Sequence, residues 1–147
     1  MPLTNKILCT VLFEERSTLT LRKIVLDLQS GLFADAISQV LEGGEPDFIT
    51  IPAESPQKTV TICKTCHAYA AIMEVTPFSP WKLEERLKLG EAIKQTAPEC
   101  KVLLLVDEMS NKSLAAAVTQ AKKDELIDNF IYASVSPTYL IAILDAL

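Results

Sequence analysis

Residues 101–140, KVLLLVDEMSNKSLAAAVTQAKKDELIDNFIYASVSPTYL, decide the fold class. With Cys100 and Asp107 at its ends, the run CKVLLLVD (100–107) is the most apolar in the chain. It is too short for a buried helix and rich in branched side chains, so it reads as a strand covered on both faces. Ser110 follows as a helix cap, and residues 111–124 carry a helical pattern. NFIYAS (129–134) is a second short strand, and Ser136-Pro137 opens a last helix, since proline is tolerated in a first turn. Strand, helix, strand, helix is the pattern of parallel strands joined by helical crossovers.

The same alternation extends towards the N-terminus. RKIVLDL (22–28) is a β-branched strand. Ser30 caps a helix whose Leu32, Phe33, Ala36, Ile37, Val40 and Leu41 fall on one stripe, and Gly43-Gly44 stops it. DFITIPA (47–53) and AYAAIMEV (68–75) are strands, with a weaker helix from Ser55-Pro56 to about His67 between them. WKLEERLKLGEAIKQT (81–96) is a long amphipathic helix that Pro98 terminates. Five strands alternating with five helices predict a flavodoxin-like three-layer α/β/α domain over residues 22–147. Its five-stranded parallel sheet has the order 2-1-3-4-5, with right-handed crossovers and a crevice at the strands' carboxyl ends.

Residues 1–21 are surplus to that count and read as an N-terminal β-hairpin arm. KILCTVLF (6–13) and TLTL (18–21) are its strands, and the second runs into the first core strand, which already has two neighbours. An exposed apolar strand bearing Ile7, Leu8, Val11 and Leu12 is an aggregation hazard unless covered. The expected cover is a second copy, making a homodimer; the alternative is the arm's own domain.

The 147 residues suit one domain, and 49% hydrophobic residues suffice for a closed core. A net charge of −5 with dispersed Lys and Arg disfavours nucleic-acid binding. No stretch approaches the roughly 18 apolar residues of a membrane span. Glu14, Glu15 and Arg16 stand where a signal peptide would need small residues. The expected location is the cytoplasm, where Cys9, Cys63, Cys66 and Cys100 would stay mostly reduced.

Two stretches, SGLFADAISQVL and AKKDELIDNFIYASVSPTYLIAIL, resemble the first helix and the fourth-to-fifth-helix segment of response-regulator receiver domains, the CheY-like switches of two-component signal transduction. The resemblance covers about residues 22–147. It implies an aspartate ending strand 3 that accepts a phosphoryl group, an acid pair after strand 1 that holds Mg²⁺, a Thr or Ser ending strand 4, and a Lys ending strand 5. Hard cations want carboxylate oxygens, and phosphoryl charge wants fixed positive partners. Carried over residue by residue, the acid pair falls on Leu28 and Gln29, with Asp27 one residue early and facing the opposite side. The acceptor falls on Glu74, the hydroxyl position on Val106 and the lysine on Ala133. This is the pattern of a degenerate pseudo-receiver. It implies a non-enzymatic protein-interaction module without aspartyl phosphorylation, cofactor or metal, working with a protein partner in signalling or regulation. The expected partner surface is the family's helix 4, strand 5 and helix 5 face, here with Tyr132 and Tyr139, and Trp81 as a further anchor at the crevice mouth.

Two other readings compete. One is a small-molecule or metal site in the crevice near Asp27, Glu74 and Asp107. The other is a thiol redox protein using Cys63 and Cys66. Cys63-Lys64-Thr65-Cys66-His67 also matches the spacing of haem attachment, but no export signal or pocket accompanies it, and zinc lacks further ligands near the pair. The cysteines sit at the C-terminal end of their helix, the wrong end for a dipole-activated thiolate. Cys63 is therefore expected inside and Cys66 near the surface.

Overall fold

A computed structural model describes residues 21–43 and 48–147. The arm, with Ile7, Leu8, Val11 and Leu12, lies outside the described residues, as does Gly44. The elements are β1 (Arg22–Asp27), α1 (Gly31–Glu42), β2 (Phe48–Pro52), α2 (Pro56–Thr65), β3 (Ala70–Val75), α3 (Leu83–Thr96), β4 (Lys101–Val106), α4 (Lys112–Lys123), β5 (Asn129–Tyr132) and α5 (Pro137–Asp145). The strands form one parallel sheet in the expected order, β2-β1-β3-β4-β5.

Alternation along the strands divides the core in two. Ile24, Leu26, Ala70, Ile72, Leu103, Leu105 and Ile131 face α1 and α5. Val25, Ala71, Met73, Val75, Val102, Leu104 and Val106 face α2, α3 and α4. Gly90 allows α3 to lie close on β4, because a Cβ there would stand 3.2 Å from Val102 Cγ1. Arg22 joins the ends of the first layer. Its guanidinium lies 4.4 Å from the Phe48 ring centroid and 2.8 Å from Asp145, while the Tyr69 hydroxyl donates to the Leu144 carbonyl at 2.8 Å.

Local chemistry sets the ends. Ser30 caps α1 by accepting from Phe33 N–H at 3.2 Å, and Ser136 caps α5 by accepting from Tyr139 N–H at 3.2 Å. The cap of α4 is Asn111, not Ser110: Asn111 Oδ1 accepts from Leu114 N–H at 2.9 Å. Ser110 is taken by Asp107, to whose Oδ2 it donates at 2.7 Å. α2 and α4 both end in Schellman turns. Ala68 N–H returns to the Cys63 carbonyl and Leu126 N–H to the Ala121 carbonyl, each at 3.0 Å, with His67 (φ 52°) and Glu125 (φ 61°) at the left-handed position. β3 therefore starts at Ala70, two residues later than the apolar pattern. The predicted α1 stripe is also narrower than expected: Ile37 and Leu41 are buried, while Leu32 is 83% exposed.

Candidate functional site

β1 ends at the carboxyl edge of the sheet on Asp27, whose side chain points into the layer beneath α2 and α3. An aspartate in that apolar layer needs a partner. Arg86, on the first half of α3, supplies it. Nη1 donates to Asp27 Oδ2 at 2.6 Å, and Nη2 donates to Oδ1 at 3.2 Å and to the Asp27 carbonyl at 3.1 Å. Nε donates to the Glu74 carbonyl at 2.8 Å. Thr59 of α2 completes the cage, its hydroxyl donating to Oδ2 at 2.6 Å. Asp27 is 4% exposed, and Arg86 and Thr59 are 0%. The pair thus ties β1, α2, β3 and α3 together just under the carboxyl edge. Sequence reasoning missed Arg86, although a signal exists. Leu83, Arg86, Gly90, Ile93 and Ala97 recur at helical spacing, which sets an arginine on the inward stripe of α3.

The six positions singled out by the resemblance line the carboxyl edge of the sheet, but their side chains are divided between its two faces. Asp27 and Val106 belong to the α2–α4 side. Leu28 packs on the α1–α5 side, opposite to Asp27, as strand alternation requires. Glu74 alternates with Met73 and Val75 and pairs with Leu105, so it also faces the α1–α5 side and turns away from Val106. Its carboxylate accepts from Gln29 N–H at 2.7 Å, closing the β1–α1 loop over the strand ends. Ala133, just past β5, lines a small apolar cleft of about 120 Å³ between α1 and α5, with Phe33, Ile37, Leu105 and Leu140.

The crevice near Asp27, Glu74 and Asp107 is not a convergent acid cluster. Asp27 is sealed by Arg86, Glu74 is held by Gln29, and Asp107 caps its own turn by accepting from Met109 N–H at 3.1 Å and from the Ser110 hydroxyl. That hydroxyl, with the backbone N–H groups of Ser110 and Met109, holds the Asp107 carboxyl below its ordinary range. Among the described residues, no three His, Cys, Asp or Glu side chains are placed to hold a metal ion. Asp107 faces solvent, whereas both Glu108 carboxylate oxygens are buried without a hydrogen-bond partner among the described residues.

Trp81 is half-buried and precedes α3 instead of starting it. Its carbonyl accepts from Thr76 N–H at 3.0 Å, and its N–H donates to the Phe78 carbonyl at 2.9 Å. That compact turn leaves Phe78 68% exposed, an aromatic at the crevice mouth that the sequence reading overlooked.

The α4–β5–α5 face carries the expected aromatics. β5 is an edge strand. Tyr132 is 39% and Tyr139 60% exposed, and the Phe130 and Tyr132 rings pack at 5.3 Å. With Lys122, Ser136 and Ile143 they border an open groove of about 590 Å³. The face combines apolar area with polar tips, a composition suited to protein contact.

Cys63 is buried and Cys66 half-buried, as expected from the helix pattern. His67 is exposed, and its backbone N–H donates to the Lys64 carbonyl at 3.3 Å within the α2 terminus.

No family model matches the sequence, and no curated protein does. Solved structures do. A response regulator from Thermotoga maritima is 20% identical with a TM-score of 0.67, the match covering 86% of this chain and 97% of that one. The response regulator domain of Thermotoga maritima CheB is 15% identical with a TM-score of 0.66, covering 86% and 96%. A CheY-like protein, tadZ, from Pseudomonas aeruginosa is 14% identical with a TM-score of 0.62, covering 85% and 98%. Identities this low speak to architecture alone, and on that evidence the chain has the flavodoxin-like fold of CheY-like receiver domains.

Proposed function

We propose that this chain is a non-enzymatic pseudo-receiver: a protein-interaction module of a signalling or regulatory system that presents a fixed surface and has no aspartyl phosphorylation cycle. One observation carries the reading. Asp27, the only aspartate at the carboxyl end of β1, is committed to the buried guanidinium of Arg86. Releasing it to a divalent cation would strand a buried positive charge, which costs several kcal/mol. Glu74, Val106 and Ala133 support the same reading, because they supply neither a hydroxyl nor a cation for a phosphoryl group, and Val106 faces the opposite side of the sheet from the other two.

Partner contact is assigned to the α4–β5–α5 face through Tyr132 and Tyr139, with self-association into a homodimer as one use of that face or of the N-terminal arm. The proposed location is the cytoplasm; none of the described helices is long and apolar enough to cross a membrane.

The test is direct. The protein is mixed with Mg²⁺ and beryllofluoride, or with Mg²⁺ and acetyl phosphate, and followed by intact mass and by Trp81 fluorescence. The reading expects no Mg²⁺-dependent spectral change and no added phosphoryl mass. A saturable Mg²⁺-dependent change, or a phosphoryl group mapped to Glu74 or Asp27, overturns it.

A further inference from the structure

The spacing of Cys63 and Cys66 marks those two thiols as a pair, yet the fold gives Cys63 a different neighbour. At the end of α2, Ala68 N–H bonds the Cys63 carbonyl at 3.0 Å, and one residue later the Tyr69 carbonyl accepts from Lys101 N–H at 3.0 Å. The end of α2 and the start of β4 are thereby fastened to successive residues just before β3. Cys63 and Cys100 meet there in the same core cluster, 0% and 1% exposed, close enough that each thiol perturbs the other's acidity, and the Cys100 thiol itself donates to the Lys101 carbonyl at 3.7 Å. Lys94, itself paired with Asp128 at 2.6 Å, donates to the Cys100 carbonyl at 2.9 Å and brings its positive charge towards that sulfur. The two acidities diverge accordingly. The neighbouring Cys100 sulfur, then burial, pushes the Cys63 thiol up, while the Cys63 contact, aided by Lys94 and opposed by burial and Asp128, holds Cys100 below the ordinary thiol range.

We propose that Cys63 and Cys100, not Cys63 and Cys66, form the redox-active pair of this domain: mild oxidation joins them in an intramolecular disulfide that staples the C-terminal end of α2 to the start of β4. With hydrogen peroxide as oxidant, the Cys100 thiolate attacks one peroxide oxygen. The O–O bond breaks, hydroxide leaves, and Cys100 becomes a sulfenic acid. The Cys63 sulfur then attacks the Cys100 sulfur. The S–O bond breaks, the Cys63 proton goes to the departing hydroxide, and the S–S bond forms. The proton that Cys100 released on ionising completes the second water, so two thiols lose two electrons and one peroxide becomes two waters.

Access requires only a small opening, because Cys100 follows Pro98 and Glu99, both exposed at the edge. Local opening of such a turn is far cheaper than unfolding. The 63–66 alternative is mechanically worse. Helix neighbours three residues apart keep their Cβ atoms about 5–6 Å apart, whereas a disulfide needs roughly 3.5–4.5 Å. Forming it would break the Schellman turn after Cys66. The proposal does not depend on the pseudo-receiver reading.

The full chain, folded and in native buffer, is titrated with hydrogen peroxide, alkylated, digested and mapped by mass. The expected product links the peptides holding Cys63 and Cys100, about 2 Da lighter than the two free thiols. It reverts with dithiothreitol, persists in Cys66→Ser, and raises Tm by at least about 3 °C through closure of the loop between the two residues. A 63–66 link overturns the proposal, as does oxidation confined to Cys66 with Cys63 and Cys100 both alkylated, or a 63–100 link that forms only in denaturant. The mapping is done on the unmodified protein, so a variant that fails to fold leaves the result unaffected.

Discussion

Replacing Arg86 with methionine keeps much of its volume and removes its charge. In the native protein Arg86 makes four hydrogen bonds, to both Asp27 carboxylate oxygens, the Asp27 carbonyl and the Glu74 carbonyl. After the substitution, Asp27 keeps one side-chain donor, the Thr59 hydroxyl, inside a layer where it is only 4% exposed. Breaking a buried pair in this way costs about 3–5 kcal/mol, because the surviving charge is left uncompensated. For a domain of this size that lowers Tm by roughly 6–20 °C. Urea unfolding at neutral pH should therefore show a lower midpoint with the slope unchanged. The double variant Asp27→Leu, Arg86→Met removes both charges and should recover most of the loss, since replacing a whole buried pair by apolar residues is often neutral or better. That recovery is the distinguishing result, since a merely badly packed methionine would not be rescued by a second change. If Arg86→Met lies within about 1 kcal/mol of wild type, or the double variant is no more stable than the single, the buried pair does not organise this edge.

Three further outcomes follow from other parts of the molecule. His67→Gly and Glu125→Gly should each raise stability by about 0.5–1 kcal/mol in thermal melts, because a residue with a Cβ is strained at the left-handed position of a Schellman turn. Asp128 gives a pH signature. Burial works against its charge, but Lys94 Nζ at 2.6 Å and Val102 N–H at 2.7 Å more than offset that and lower its carboxyl below the ordinary range. The stabilisation is present above the ordinary aspartate pKa of about 3.9 and is lost as the pH falls through the lower folded value. The Tm gap between wild type and Asp128→Asn should accordingly be constant near neutrality and close below about pH 4. Deleting residues 1–17 should convert a dimer to a monomer in sedimentation velocity if the arm bridges copies; a monomeric wild type excludes that role.

Much of the fold was legible because it rests on short-range chemistry. Five apolar runs of strand length, the caps at Ser30 and Ser136, and the turns after each helix all act within a few residues of themselves. The parallel order then follows from connection rules that leave few alternatives. Errors arose where two local partners competed. Ser110 was free to cap α4 on sequence grounds, but Asp107 claimed its hydroxyl and Asn111 took the cap. Leu32 matched the helical stripe yet stands at its exposed edge, while Phe33 and Ala34 beside it pack on the core. The site was less legible than the fold. Strand alternation foretold that Asp27 and Leu28 face opposite layers, but not what Asp27 meets there.

That distinction has one physical cause. Periodicity, capping and turn preferences are encoded by neighbours along the chain, so the order of elements, the sheet and the two apolar layers could be read from the residues alone. Arg86 and Asp27 are separated by 59 positions, and Cys63 and Cys100 by 37. Such pairings exist only after α2 and α3 have settled on the same face of the sheet. Which charge neutralises Asp27, and which thiol lies beside Cys63, were decided by packing in three dimensions, where distance along the chain no longer counts.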